Sequence, residues 1–225
     1  MLKKYYKFDL DLIIANIVAI IVLVIGTIFY FMVTKSGTFS NKYFGIEILL
    51  MFLYFGLHEV FHGLGYALFV KDKKNIKYGA ALEKSVFYAM CQEEISKKAI
   101  LISLIFPLLF LSIISGIIAL VFDLKFLLFL SIMNLAGASG DIIMLFFILK
   151  LPNDISYIDY DNSVGCTFTS KNDLSKYRGF GIKYVGSGEH KKSLIKKDIP
   201  KIEITKTSYY IFIVFVIIAI LVTII

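Results

Sequence analysis

The sequence predicts an all-α polytopic membrane protein of about five transmembrane helices, with a small cytosolic α/β or irregular segment before the last helix. Three observations carry that prediction. Hydrophobic residues make up 58% of the 225 positions, and the mean hydropathy is +0.80. The apolar residues gather into long runs rather than into faces of helical or strand period. Lysine and arginine are sorted between alternate connections, which a soluble domain has no reason to do.

The runs lie at about 9–33, 44–70, 99–122, 126–150 and 209–225, long enough to cross a bilayer or nearly so. The segment before the first run carries three lysines, the 71–98 loop seven, and the 150–208 stretch eleven Lys and Arg. The 34–43 and 123–125 connections carry two and one. Alternate sides therefore collect twenty-one against three, which puts the amino terminus, the middle loop and the 151–208 segment in the cytosol of a cell-membrane protein. Three units follow: a four-helix membrane core over 1–150, a cytosolic polar segment over 151–208, and a C-terminal helix over 209–225.

The net charge of +7 is explained by this sorting, so no nucleic-acid partner is expected. The amino-terminal MLKKYYK and its apolar run resemble a signal peptide, but the run is too long and lacks a small-residue cleavage site. A retained helix is expected. Cys91 and Cys166 lie far apart in segments assigned to the cytosol, without CxxC spacing, and are expected as free thiols.

The connections have some pattern of their own. Residues 79–82 and 86–91 flank Glu83-Lys84-Ser85 as a possible short hairpin at the membrane face. Gln92, Glu93 and Glu94 lead into the third helix, whose Pro107 should kink it. Residues 157–160 and 166–169 alternate like two short strands around Asp161-Asn162, whereas 179–197 is rich in Gly and Lys and reads as linker. His190 falls there and reads as a solvated side chain.

The chemistry sits in GLHEVFHGLG, residues 56–65, inside the second apolar run. On a helix, His58 and His62 share a face and can grip one metal ion. Glu59 then stands where a metalloprotease keeps its general base. A pentad of this kind also arises by chance. Here it takes two of the chain's three histidines, and polar groups at this depth are costly unless something compensates them.

A catalytic zinc usually takes three protein ligands. Glu47 is eleven residues from His58, about 16 Å along a helix and out of reach. Asp141 is the one acid in the interior of another expected membrane helix. His58 is fourteen residues from the outer start of its run and Asp141 fifteen from that of its own, so the two share a depth. Gly137, Ala138, Ser139 and Gly140 let a neighbouring helix approach closely. Asn134, seven residues before Asp141, shares its face on an intact helix, as an interhelical hydrogen-bond partner or as a contact to substrate.

HEVFHG, a charged loop, a Pro-containing helix and then NLAGASGD together resemble the "putative zincin peptidase" family of membrane proteins, also filed as domain of unknown function 3267. That family is similar in outline to the site-2 proteases, which are intramembrane zinc metalloproteases. The resemblance spans about residues 44–170. It implies zinc held by His58, His62 and Asp141, Glu59 as the catalytic acid–base, and a membrane protein or peptide as substrate. The chain departs from the site-2 pattern in having Ile142 after Asp141 and no proline between Asn134 and Asp141. Two other readings use the same residues: a membrane metal transporter or sensor, and an inactive zinc-bound protein that docks a partner through 151–208.

Overall fold

Asp11 starts the first helix. Its carboxylate accepts from the N–H groups of Ile13 and Ile14 at 2.9 and 3.3 Å, satisfying donors that a helix start leaves open. Lys35 ends it in the left-handed conformation, with φ 54°. The structure, a computed structural model, describes residues 3–35, 44–81, 86–158, 165–180 and 182–187, with Tyr210, Ile213, Val214 and Ile217.

In chain order the elements are β1 (Lys4–Asp9), α1 (Leu12–Thr34) and α2 (Phe44–Ala67), then β2 (Ile76–Ala81), β3 (Val86–Cys91) and β4 (Ile95–Ser96). A long helix follows in three parts: α3 (Lys97–Pro107), a π-helical turn (Leu108–Ile114) and α4 (Ser115–Val121). Then come α5 (Lys125–Gly137), α6 (Ser139–Lys150), β5 (Ser156–Ile158), β6 (Gly165–Ser170) and β7 (Ile182–Ser187). Among the described residues, three helices are long and apolar enough to cross a membrane: Ile13–Thr34, Gly45–Ala67 and Lys97–Val121. The α5–α6 pair makes a fourth if its two halves count as one span. The expected fifth span, 209–225, lies almost wholly outside the described residues, as do the Asp161-Asn162 turn and His190.

The chain is mostly helical, but all-α is too simple. Among the described residues, five strands form one sheet in the order β4-β5-β6-β1-β7, and β2 and β3 form a second. β5 and β6 are strands within the stretches read as such at 157–160 and 166–169, although residues 159–160 lie outside the described residues and the side chains at 166–170 are all buried rather than alternating. Two other expectations are corrected. Residues 4–9 are a strand, so the first helix begins at Leu12. Part of the supposed 179–197 linker is β7, paired antiparallel with β1. The sheet therefore draws on both the chain start and the 151–208 stretch. Tyr6 and Phe8 of β1 are buried with Phe168, Phe147 and Ile100, and Phe8 stacks on Phe147 at 4.6 Å. This core fastens the sheet to α3 and α6.

The expected fourth helix is not intact. It breaks at Ala138 and turns by 51° between α5 and α6, without a proline. Pro107 does not produce a break of that kind. The span continues through the π-helical turn, where the Ser115 N–H reaches back to Phe110 O. An i→i+5 register is one way a helix absorbs an irregularity.

The strands of the hairpin expected at 79–91 are present and longer than expected, paired from Ile76↔Cys91 to Ala81↔Val86, while residues 82–85, with the Glu83-Lys84-Ser85 turn, lie outside the described residues. The hairpin does not stop at the end of α2. Phe87 packs edge-on against Phe52 at 5.1 Å, while a Cβ on Gly63 would lie 1.7 Å from the Tyr78 hydroxyl. From Gly63 to Phe52 the hairpin runs beside α2 for about 16 Å.

Candidate metal centre

One turn of α2 separates His58 from His62, and the helix aims both rings the same way. Their Nε2 atoms are 3.1 Å apart. The bend at Ala138 swings α6 so that Asp141, in its first turn, meets them. Asp141 Oδ2 lies 3.0 Å from His58 Nε2 and 3.2 Å from His62 Nε2. Four donors placed tetrahedrally at 2.0–2.1 Å around a zinc ion are about 3.3–3.4 Å apart. The three atoms have nearly that spacing.

The opposite ring edges decide what these atoms can do. His62 Nδ1 lies 3.0 Å from the Ser103 carbonyl, which can only accept, so that nitrogen carries the hydrogen. His58 Nδ1 is 2.9 Å from Asn134 Oδ1. The Asn134 amide is oriented by its other end, where Nδ2 donates to Pro107 O at 3.3 Å and Ser112 Oγ at 2.8 Å. Oδ1 therefore faces His58, and His58 Nδ1 also donates. With neutral rings, both Nε2 lone pairs and a carboxylate oxygen converge on one point with no hydrogen between them. Three acceptors facing one another repel, and a cation in their midst removes the conflict. The residues present fit zinc.

Close approach of backbones makes this geometry possible. Gly65 packs on Ser103 so tightly that a Cβ would sit 2.5 Å from the Ser103 Cα. The contact is tied both ways, because Ser103 Oγ donates to His62 O at 2.8 Å. His62 and Asn134 are buried, while the side chains of His58 and Asp141 keep 13% and 19% exposure.

Glu59 points to the neighbouring face. Its Oε2 accepts from the Ala89 N–H at 2.8 Å. Among the described residues, a metal-binding atom from each of His58, Glu59 and His62 lies within 4.8 Å of the others. All four residues expected in the metal or catalytic role thus meet here. Asn134 meets them differently: its side chain is fully buried and both ends of its amide are bonded, Oδ1 toward His58 and Nδ2 toward Pro107 and Ser112. Ser103 and Ser112 went unforeseen. The Ser103 contact to His62 runs through its carbonyl, which every residue has, and the only hint of Ser112 was a proline inside a helix nearby.

Residues 50–156, just under half of the chain, match the family model described as "Putative zincin peptidase". That is the family the HEVFHG and NLAGASGD stretches pointed to. The match runs from within α2 to β5 and contains every residue of the centre. No curated protein and no solved structure matches the chain.

Proposed function

We propose that this chain, whose residues 50–156 carry the zincin peptidase match, is an intramembrane zinc metallopeptidase that hydrolyses peptide bonds of membrane-associated proteins. One observation carries the reading: the hydrogen-free meeting of His58 Nε2, His62 Nε2 and Asp141 Oδ2, with a carboxylate beside it. His58, His62 and Asp141 would hold the ion. Bound zinc supplies a water of lowered pKa and polarises a carbonyl.

Glu59 takes up the proton when water attacks the scissile carbonyl and returns it to the leaving amine. Asn134 and Ser103 hold the two imidazoles in the tautomer that leaves Nε2 free. The β2–β3 hairpin supports a mode of substrate presentation. Gln92 N–H bonds Asn75 O at 2.8 Å, and alternation from that pair makes Tyr78↔Ala89 a pair that exchanges no hydrogen bonds. The N–H groups of Phe87, Ala89 and Cys91 therefore point away from β2. An extended substrate segment can bond to such an edge, which a helix cannot do because its amides are already paired. The substrate reaches the centre from the bilayer, with the amino terminus of the enzyme in the cytosol.

The test separates metal binding from chemistry. His58→Ala, His62→Ala and Asp141→Ala should each lower the zinc content of the purified protein. Glu59→Gln should keep zinc and lose cleavage about 100- to 10,000-fold, and membrane substrates should accumulate in a strain carrying it. An Asp141→Ala protein that holds zinc like the parent would remove the third ligand. Full cleavage by Glu59→Gln would end the peptidase reading, and metal transport by Glu59→Gln at the parent's rate would favour a transporter.

A further inference from the structure

We infer that Ser112, on the π-helical turn, is a positioning residue for the metal centre, acting through Asn134 on His58. The inference rests on the metallopeptidase reading and extends it to a residue outside the ligand set.

A metal-bound imidazole needs its remote nitrogen protonated and anchored. For His58 the anchor is an amide, and an amide has two ends of nearly the same shape. With Oδ1 toward His58, Nδ1 carries the hydrogen and Nε2 keeps its lone pair. With Nδ2 toward His58, the proton must move to Nε2, where it blocks a metal. Metal binding at His58 therefore depends on what holds the far end of Asn134.

Two acceptors hold it. Pro107 O is the longer contact at 3.3 Å and Ser112 Oγ the shorter at 2.8 Å. On an α-helix, side chains five residues apart point about 140° away from each other; here Pro107 offers its main-chain carbonyl and Ser112 its side-chain hydroxyl. In the π register, residue i+5 bonds back to residue i and lies in line with it. The π-helical turn spans Leu108–Ile114 and brings both acceptors to the same side. It is also pinned to the helix that bears His58. Tyr54, one turn before His58 on α2, donates from its hydroxyl to Leu111 O at 2.7 Å, and Ser115 Oγ donates to the same carbonyl at 2.6 Å. The turn, the amide and the imidazole form one connected device.

Zinc affinity, read by chelator competition on the purified full-length chain, tests this. Ser112→Ala should weaken zinc binding about tenfold, the low end of what loss of an outer partner costs. Ser112→Thr, which keeps the hydroxyl, should restore it. In an Asn134→Ala background, Ser112→Ala should add no further loss. A purely structural serine would instead lower the melting temperature of the metal-free chain and leave zinc affinity alone. Parent-like affinity in Ser112→Ala, or losses that add in the double variant, would overturn the inference. If Ser112→Ala fails to fold, Tyr54→Phe takes its place: it frees the turn without touching Asn134, so weakened zinc binding supports the device and unchanged binding overturns it. A parent chain that binds no zinc defeats both readings, whereas a zinc-binding parent indifferent to Ser112 defeats only this one.

Discussion

Glu59 Oε2 lies 2.8 Å from the amide nitrogen of Ala89, so the acid beside the two imidazoles is tied to a strand rather than to its own helix. The N–H it uses belongs to the edge of β3 that points away from β2. The Glu59 carboxylate and the strand edge are therefore one unit, and a change in the hairpin reaches that carboxylate without touching His58, His62 or Asp141.

Proline at Phe87 or at Ala89 removes an outward N–H and leaves the β2 ladder paired, as an edge strand tolerates. Both variants should keep zinc and cleave more slowly. Ala89→Pro should be the worse, since it also takes the partner of Glu59. Cleavage assays beside metal analysis decide this, and unchanged cleavage in both would reduce the hairpin to a connector.

Gly65→Ala forces a methyl to within 2.5 Å of the Ser103 Cα, where only backbone can yield. We expect a loss of about 1–3 kcal/mol, seen in thermal melts, and weaker zinc binding as the Ser103 carbonyl moves off His62. Gly63→Ala meets the end of the Tyr78 side chain instead, which can swing aside. It should melt near the parent temperature while lowering cleavage through a displaced hairpin.

Single cysteines at Ser36 and at Ser187, in a chain with Cys91→Ala and Cys166→Ala, should label from opposite sides. An impermeant reagent should reach position 36 in intact cells and position 187 only after lysis. Labelling of both from one side would overturn the orientation.

Acid should weaken the five-stranded sheet through Glu94. Burial pushes the pKa of this carboxyl up, but Lys3 and the Thr169 hydroxyl outweigh it and hold the net value below the ordinary one. A depressed folded-state pKa contributes stability above the unfolded-state value and loses it as pH falls through the folded value. Denaturant midpoints should therefore drop as pH falls from about 4.3 downward. In Glu94→Gln that part of the drop should vanish, and a parent-like acid profile there would exclude Glu94 as the cause.

Much of the centre was legible because its signals are local. The spacing of His58 and His62 is one helical turn, and apolar runs announce spans whatever surrounds them. Asp141 could be matched to His58 because rise per residue converts sequence distance into a level along neighbouring helices. Other features have no local signal. Lys4–Asp9 is a strand because residues 165–170 and 182–187 pair with it from the far end of the chain, and six residues beside a long apolar run do not announce partners so distant. The break at Ala138 follows no proline. It appears where α6 must turn to bring Asp141 to both imidazoles. Likewise the anchors of the two rings lie on the carbonyl of Ser103 and, through Asn134, on a π-helical turn. The sequence by itself determined which side chains could hold a metal. Tertiary structure alone decided which nitrogen of each imidazole faces it, because that choice is made by backbone groups and helix registers that leave no mark on residue identity.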